Sequence, residues 1–106
     1  MGVETKVTFG ERGCPAWARV HDLLTRQGFP VEVRMVDGEL RLPEEEVPTA
    51  WEELRVGTPH GMVTLKRQGN SLAVVVWGNA DAALRQAQAT LAAALAEASG
   101  GTVIGE

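Results

Sequence analysis

The segment from Lys6 to Val36 limits the possible folds of this chain more than any other stretch. It contains a strand, a glycine-bounded turn that opens on Cys14, a helix and a second strand. Alternating apolar residues predict that the first strand covers Val3–Phe9. Apolar positions three and four apart predict a helix over Pro15–Gln27, which Gly28 ends as its C′ residue. The amino-terminal part is therefore predicted to be a strand–helix–strand unit.

The remainder of the chain predicts two hairpins and two more helices. Asp37-Gly38 indicates a tight turn into a short strand at Leu40–Leu42, which places Val33 and Met35 on the same face. Thr49–Leu54 matches a short capped helix. The other predicted elements are a loop at 57–61, the strands Met62–Arg67 and Leu72–Trp77, and a helix over Ala80–Ala98 capped by Asn79. The strand Leu72–Trp77 is apolar on both faces, so it is expected at the centre of a sheet.

Length and composition indicate one globular domain over residues 1–106. The 106 residues are 44% hydrophobic and 23% charged, which is ordinary for a globular protein. Residues 3–98 are the predicted core and residues 99–106 a tail. Within that tail, Thr102–Ile104 is expected either to pair as an edge strand or to reach a neighbouring molecule.

Charge and residue usage exclude several classes of function. The net charge is −4, and acids cluster between residues 37 and 53, so a nucleic-acid surface is not expected. No signal peptide and no membrane-spanning run is visible, so a cytoplasmic location is predicted. The single cysteine rules out an internal disulfide. Eight Arg against two Lys suggest a bacterium with a GC-rich genome, and few Asn, Met and Cys suggest heat stability.

The order of elements and two short motifs resemble the thioredoxin/glutaredoxin superfamily. Cys14-Pro15-Ala16-Trp17, at a strand-to-helix turn, looks like the Cys-Pro-x-x motif of that superfamily. Thr58-Pro59, before a hairpin and a last helix, is similar to the family's Thr-Pro pair, whose proline is cis. The chain departs from the family at Trp17, which takes the place of the second cysteine. A two-thiol exchange cycle therefore cannot run within this chain.

The resemblance implies an α/β fold with one mixed sheet. In this thioredoxin-like β-α-β-(short α)-β-β-α arrangement the first strand pairs in parallel with residues 31–35, and an extra hairpin extends the edge. The alternative is an α+β fold with an antiparallel sheet and helices on one face. The pairing of the first strand distinguishes the two architectures.

The resemblance also implies a site around the only thiol. Cys14 would be the nucleophile and His60 its base, and the binding residues would be Pro15, Trp17, Thr58 and Pro59. A helix amino end favours the thiolate form of a cysteine. No bound cofactor is predicted, although glutathione could exchange with Cys14. Two histidines and one cysteine, widely spaced, predict no metal site.

Two functions follow from these observations. The preferred one is a non-enzymatic interaction module, a homodimer or the partner of another protein, that has kept a redox fold without the chemistry. Its contacts would come from the alanine-rich last helix or from Val103-Ile104. The alternative is a single-thiol redox or glutathione-linked protein that uses Cys14. Trp17, Trp51 and Trp77 are all expected in the core.

Overall fold

A computed structural model describes residues 2–40, 46–47, 51–77 and 81–104 of the chain. Seven strands and two helices are present in these ranges. In chain order they are β1 (Gly2–Thr8), α1 (Trp17–Arg26), β2 (Glu32–Val36), β3 (Glu39–Leu40), β4 (Glu53–Thr58), β5 (Gly61–Gln68), β6 (Ser71–Trp77), α2 (Ala82–Ser99) and β7 (Thr102–Ile104).

The strands form one sheet in the order β3-β2-β4-β5-β6-β1-β7, and every neighbouring pair is antiparallel. The predicted thioredoxin-like fold with a mixed sheet is therefore wrong. β1 pairs with β6 and β7 and does not touch β2. β1 and β2 run in the same direction, but β4, β5 and β6 lie between them. The sheet is antiparallel, as in the alternative architecture.

Strand β4 is the main reason for this difference. The prediction placed a short helix at Thr49–Leu54, but the chain is extended from Glu53, while Thr49 and Ala50 lie outside the described residues. The carboxylate of Asp37 accepts hydrogen bonds from the backbone N–H groups of Glu52 and Glu53, at 2.9 and 2.8 Å. These bonds hold the start of β4 against the β2–β3 turn. β4 thus occupies the place beside β2 that β1 would have taken.

The predicted Asp37-Gly38 hairpin is confirmed. Both turn residues have positive φ, 50° and 85°, as a type I′ turn requires, and Met35 pairs with Leu40. Leu42 lies outside the described residues. The prediction that Val33 and Met35 share a face is wrong, because a bulge at Arg34 shifts the register between them. Val33 faces the core, whereas Met35 lies on the opposite face.

The last helix and its boundaries follow local capping rules. The Asp81 carboxylate accepts a hydrogen bond from the Leu84 N–H at 2.8 Å, and Gly100 ends α2 with φ 69°. Asn79, the predicted cap, lies outside the described residues. Gly28, with φ 72°, follows α1 as predicted. However, α1 begins at Trp17, so Pro15 lies before its N-cap rather than at the first helical position.

Both helices pack on one face of the sheet, which we call the covered face. Its core joins Val20 and Leu24 of α1 and Leu91 and Leu95 of α2 to inward residues of five strands: Val7, Val33, Val36, Leu54, Val56, Val63, Leu65, Leu72, Val74 and Val76. Much of the alanine-rich side of α2 is buried in this packing. Neither described helix is long and apolar enough to cross a membrane.

The carboxyl-terminal tail belongs to the sheet. β7 pairs with residues 6–8 of β1 and forms one edge. Just before β7 the backbone passes very close to the end of β1. A Cβ on Gly10 would collide with the Gly100 carbonyl, and a Cβ on Gly101 would collide with the Thr8 carbonyl. Of the two possibilities for this tail, the structure shows the edge strand.

Candidate functional site

Cys14 is half-buried at the edge of the covered face. Its thiol lies 3.8 Å from the Pro15 carbonyl oxygen, to which it can donate a weak hydrogen bond. Burial raises the pKa of this thiol above its ordinary value, a nearby Arg67 lowers it, and Glu52 raises it. The net shift is upward, so the environment favours the neutral thiol over a reactive thiolate.

The amino end of α1 does not stabilise the thiolate form of Cys14 as predicted. α1 begins at Trp17 with Ala16 as its N-cap, and no side chain caps it. Cys14 precedes that cap by two residues, and within the described residues its thiol bonds to a carbonyl rather than to the open N–H groups of the first turn. Burial is therefore the largest influence on the pKa of this thiol, and it raises that pKa.

His60 lies far from Cys14. It belongs to the two-residue turn between β4 and β5, and its ring lies 6.1 Å from that of Phe29, just beyond the carboxyl end of α1. Cys14 lies before the amino end of the same helix, and ten helical residues span ~15 Å. The structure therefore does not bring together the two residues predicted as nucleophile and base.

The other predicted binding residues divide between the same two places. Thr58 closes the β4–β5 turn, because its hydroxyl donates to the Gly61 carbonyl at 2.7 Å and accepts from the His60 N–H at 3.1 Å. The described peptide bonds are all trans, so Pro59 departs from the family's cis proline. Pro15 is buried just before α1, and Trp17 is buried as the first residue of that helix. In the described part of the chain, no group of three His, Cys, Asp or Glu side chains could hold a metal ion.

The face of the sheet opposite the helices carries most of the exposed large apolar side chains. We call it the open face. By the strand registers it presents Leu40, Met62, Trp77 and Ile104, which are 82%, 41%, 56% and 50% exposed. The prediction that all three tryptophans lie in the core holds for Trp17 and Trp51 and is wrong for Trp77.

Charged side chains alternate with these apolar ones along the open face. Glu53, Lys66, Ala73 and Lys6 form one cross-strand row from β4 to β1. The next row consists of Arg55, Thr64, Val75 and Glu4. Two ion pairs run along the strands between these rows, Lys6–Glu4 and Arg55–Glu53, each at 3.9 Å. Both are largely exposed and contribute little to stability.

Small residues on the open face are buried without a helix above them. Thr64 and Val75 are only 4% and 6% exposed. Lys66 and Trp77 project from the two sides of this pair, and the ammonium group lies 5.7 Å from the indole ring. The two long side chains therefore meet above Thr64 and Val75 and keep water from them.

A groove of about 460 Å³ lies at the β2–β4–β5 end of the open face. Met35, Leu40 and Met62 supply apolar walls. Arg34 lies across Gly57, where a Cβ would come within 3.2 Å of its Nε. The bulge in β2 and the missing side chain at Gly57 together leave this depression open.

Sequence reasoning did not single out the open face as a site. A signal was present in β1, where Glu4, Lys6 and Thr8 alternate with the apolar positions. The registers that bring Arg55 and Trp77 onto the same face depend on β4, which was predicted as helix and loop. Comparisons with known proteins found no matching family, no matching curated protein and no matching solved structure.

Proposed function

We propose that the protein is a non-enzymatic interaction module that self-associates through the open face. One observation supports this best: the exposed apolar side chains Met62, Trp77 and Ile104 lie on a face that neither described helix covers. Exposed apolar groups rimmed by charges are typical of protein–protein contact surfaces, and tryptophan is enriched at their energetic centres.

The structure changes where the contact is expected. The alanine-rich helix was one predicted surface, but its leucines and most of its alanines pack inside the domain. Val103 and Ile104 belong to an edge strand, and Ile104 is aligned with Lys6 on the open face. We therefore move the proposed contact from the helix to the sheet. A homodimer in the cytoplasm is the form we propose.

The single-thiol alternative has less support. A nucleophilic cysteine needs its thiolate form, and burial raises the pKa of Cys14. The predicted base, His60, lies at the other end of α1. A mixed disulfide with glutathione at Cys14 remains a hypothesis, and mass spectrometry of the protein after incubation with oxidised glutathione tests it.

The test measures the mass of the protein by sedimentation equilibrium over a wide range of concentration, with and without reductant. We expect a dimer, at least about tenfold weaker association in Trp77→Ser, and unchanged association in Cys14→Ser. A monomeric wild type would contradict the proposal. A dimer lost in Cys14→Ser or on reduction would favour the thiol alternative instead.

A further inference from the structure

The arrangement of charges on the open face contains a twofold self-complementarity. The row Glu53, Lys66, Ala73, Lys6 begins with an acid and ends with a base. The neighbouring row Arg55, Thr64, Val75, Glu4 begins with a base and ends with an acid. If either row is laid on its own reverse, opposite charges meet at both ends. Near the middle, Thr64 meets Val75 in one row and Lys66 meets Ala73 in the other.

We propose that two copies of this chain stack their open faces about a twofold axis that runs parallel to the strands, between β5 and β6. This inference rests on the proposed self-association and specifies its geometry. Arg55 of each copy faces Glu4 of the other, and Glu53 faces Lys6. Thr64 faces Val75, so two nearly buried positions of the face meet at the centre.

Other orientations of the axis are less favourable. An axis in the plane of the face but perpendicular to the strands, through the row of Arg55, would place Arg55 on Arg55 and Glu4 on Glu4. Like charges placed opposite each other across an interface disfavour the complex. Moving that axis midway between the two charged rows again sets opposite charges face to face, but Trp77 would then meet Ser71 rather than Met62, so the apolar contact would be lost. Either axis keeps the strands of the two sheets aligned to within ~30° of each other.

The sheet geometry tolerates that angle. Adjacent strands are ~4.8 Å apart, so β4 and β1 each lie ~7 Å from the proposed axis. A rotation of ~30° moves their residues by only ~4 Å, which the flexible Arg55, Glu4, Glu53 and Lys6 side chains can span.

Apolar contacts follow from the same axis. Met62 and Trp77 continue the register of Thr64 and Val75 by two residues on each strand. The axis therefore places the indole of the second copy opposite Met62, beside the groove of about 460 Å³ at Gly57. An exposed tryptophan facing an open apolar groove is a favourable anchor for an interface.

The net charge of the surface agrees with a second copy as the occupant. By the registers the open face carries four cations (Lys6, Arg34, Arg55 and Lys66) and three carboxylates (Glu4, Glu32 and Glu53), although the chain as a whole carries −4. The rest of the chain therefore carries −5 in total, and two copies that meet through the open face keep that excess negative charge out of their contact.

A charge-swap cycle tests this geometry. Arg55→Glu places a carboxylate opposite Glu4, and Glu4→Arg places a guanidinium opposite Arg55, so each single variant is expected to weaken dimerisation at least about tenfold. The double variant restores the attraction and is expected to return to within about threefold of the wild type. Sedimentation equilibrium gives the dissociation constants, and circular dichroism checks that each variant folds.

Two controls repeat the charge changes away from the open face. Glu11→Arg lies in the turn before Cys14, and Arg19→Glu lies on the exposed side of α1. Both are expected to leave the dissociation constant within about threefold of the wild type. If a swap variant fails to fold, Arg55→Gln and Glu4→Gln each remove the same ion pair, so the double variant should weaken dimerisation no more than either single variant.

The outcomes separate this inference from the proposed function. A dimer that both single swaps leave intact, or that the double variant does not restore, overturns this axis but keeps self-association. A monomeric wild type overturns both. An open face that binds a different protein, and never a second copy, overturns the inference and supports only a general binding role.

Discussion

The two faces of the sheet achieve burial in different ways. Val74 and Val75 are neighbours on β6, and both are nearly inaccessible to solvent. Val74 packs in the core beneath the helices. Val75 lies under two long side chains, Lys66 and Trp77, whose far ends stay at the surface. A low exposed fraction therefore does not show which side of this sheet forms the core.

Only the open face can take up a second protein surface without unfolding of the domain. The covered face is enclosed by α1 and α2, so its packing cannot be exchanged without unfolding. On the open face, side chains with rotatable bonds do the covering, and a second protein surface could displace or enclose them at little cost to the fold. The same kind of substitution should therefore have different effects on stability on the two faces.

A buried charge should give the largest contrast. Leu91 is fully buried between α2 and the sheet, so Leu91→Asp is expected to cost about 5 kcal/mol or more and to unfold the domain. This residue therefore cannot report on self-association. Ala93→Asp, on the exposed side of the same helix, should cost about 1 kcal/mol or less. Urea unfolding measures both, and similar stabilities would contradict the assignment of the covered face.

Truncating one valine on each face should give a smaller difference in stability. Val74→Ala leaves a cavity beneath the helices and is expected to lower the free energy of unfolding by about 2 kcal/mol. Val75→Ala is expected to lower it by about 1 kcal/mol, because Lys66 and Trp77 can move into the space that the substitution leaves. Urea unfolding at low protein concentration provides the comparison. Equal costs would show that the open face is as rigidly packed as the covered one. A cost at Val75 that grows with concentration would show that a second copy covers it.

The smallest effect should come from the thiol at the edge of the covered face. Burial raises the pKa of Cys14 in the folded state, so the folded protein holds this proton more tightly than the unfolded chain. The resulting stabilisation is fully present below the ordinary thiol pKa of ~8.5 and is lost as pH rises through the higher folded value.

Cys14→Ala removes this contribution, so its stability should fall less steeply than that of the wild type from about pH 8 to pH 10. Urea unfolding of both proteins at several pH values checks the slope. Alkylation of Cys14 in the native protein should likewise have a midpoint above ~8.5. Parallel stability curves and a midpoint below that value would instead indicate a stabilised thiolate, and the single-thiol alternative would regain support.

Several local features could be predicted because they depend on only a few neighbouring residues. Asp37-Gly38 can adopt the positive φ angles of a tight hairpin more readily than most residue pairs. Gly28 and Gly100 end the helices for the same reason. The apolar run in β6 indicated a central strand, and β6 does lie between β5 and β1.

The candidate site could not be predicted in the same way. Cys14 and His60 were placed together by a resemblance to a different strand order, and the observed order puts them at opposite ends of α1. Trp77 was expected inside because β6 is apolar on both faces. Its exposure depends on where the helices pack, which the residues of β6 do not encode.

Backbone preferences within a few residues made the turns, the carboxyl ends of the helices and most of the strands predictable. Three features are visible only in the folded sheet: the strand order, the bulge at Arg34 and the face on which each strand residue lies. Those features depend on pairing between distant segments. Glu53–Thr58 lies beside β2, in the place predicted for β1. A one-residue shift in such pairing moves a side chain to the other face, so the open face exists only in the folded sheet.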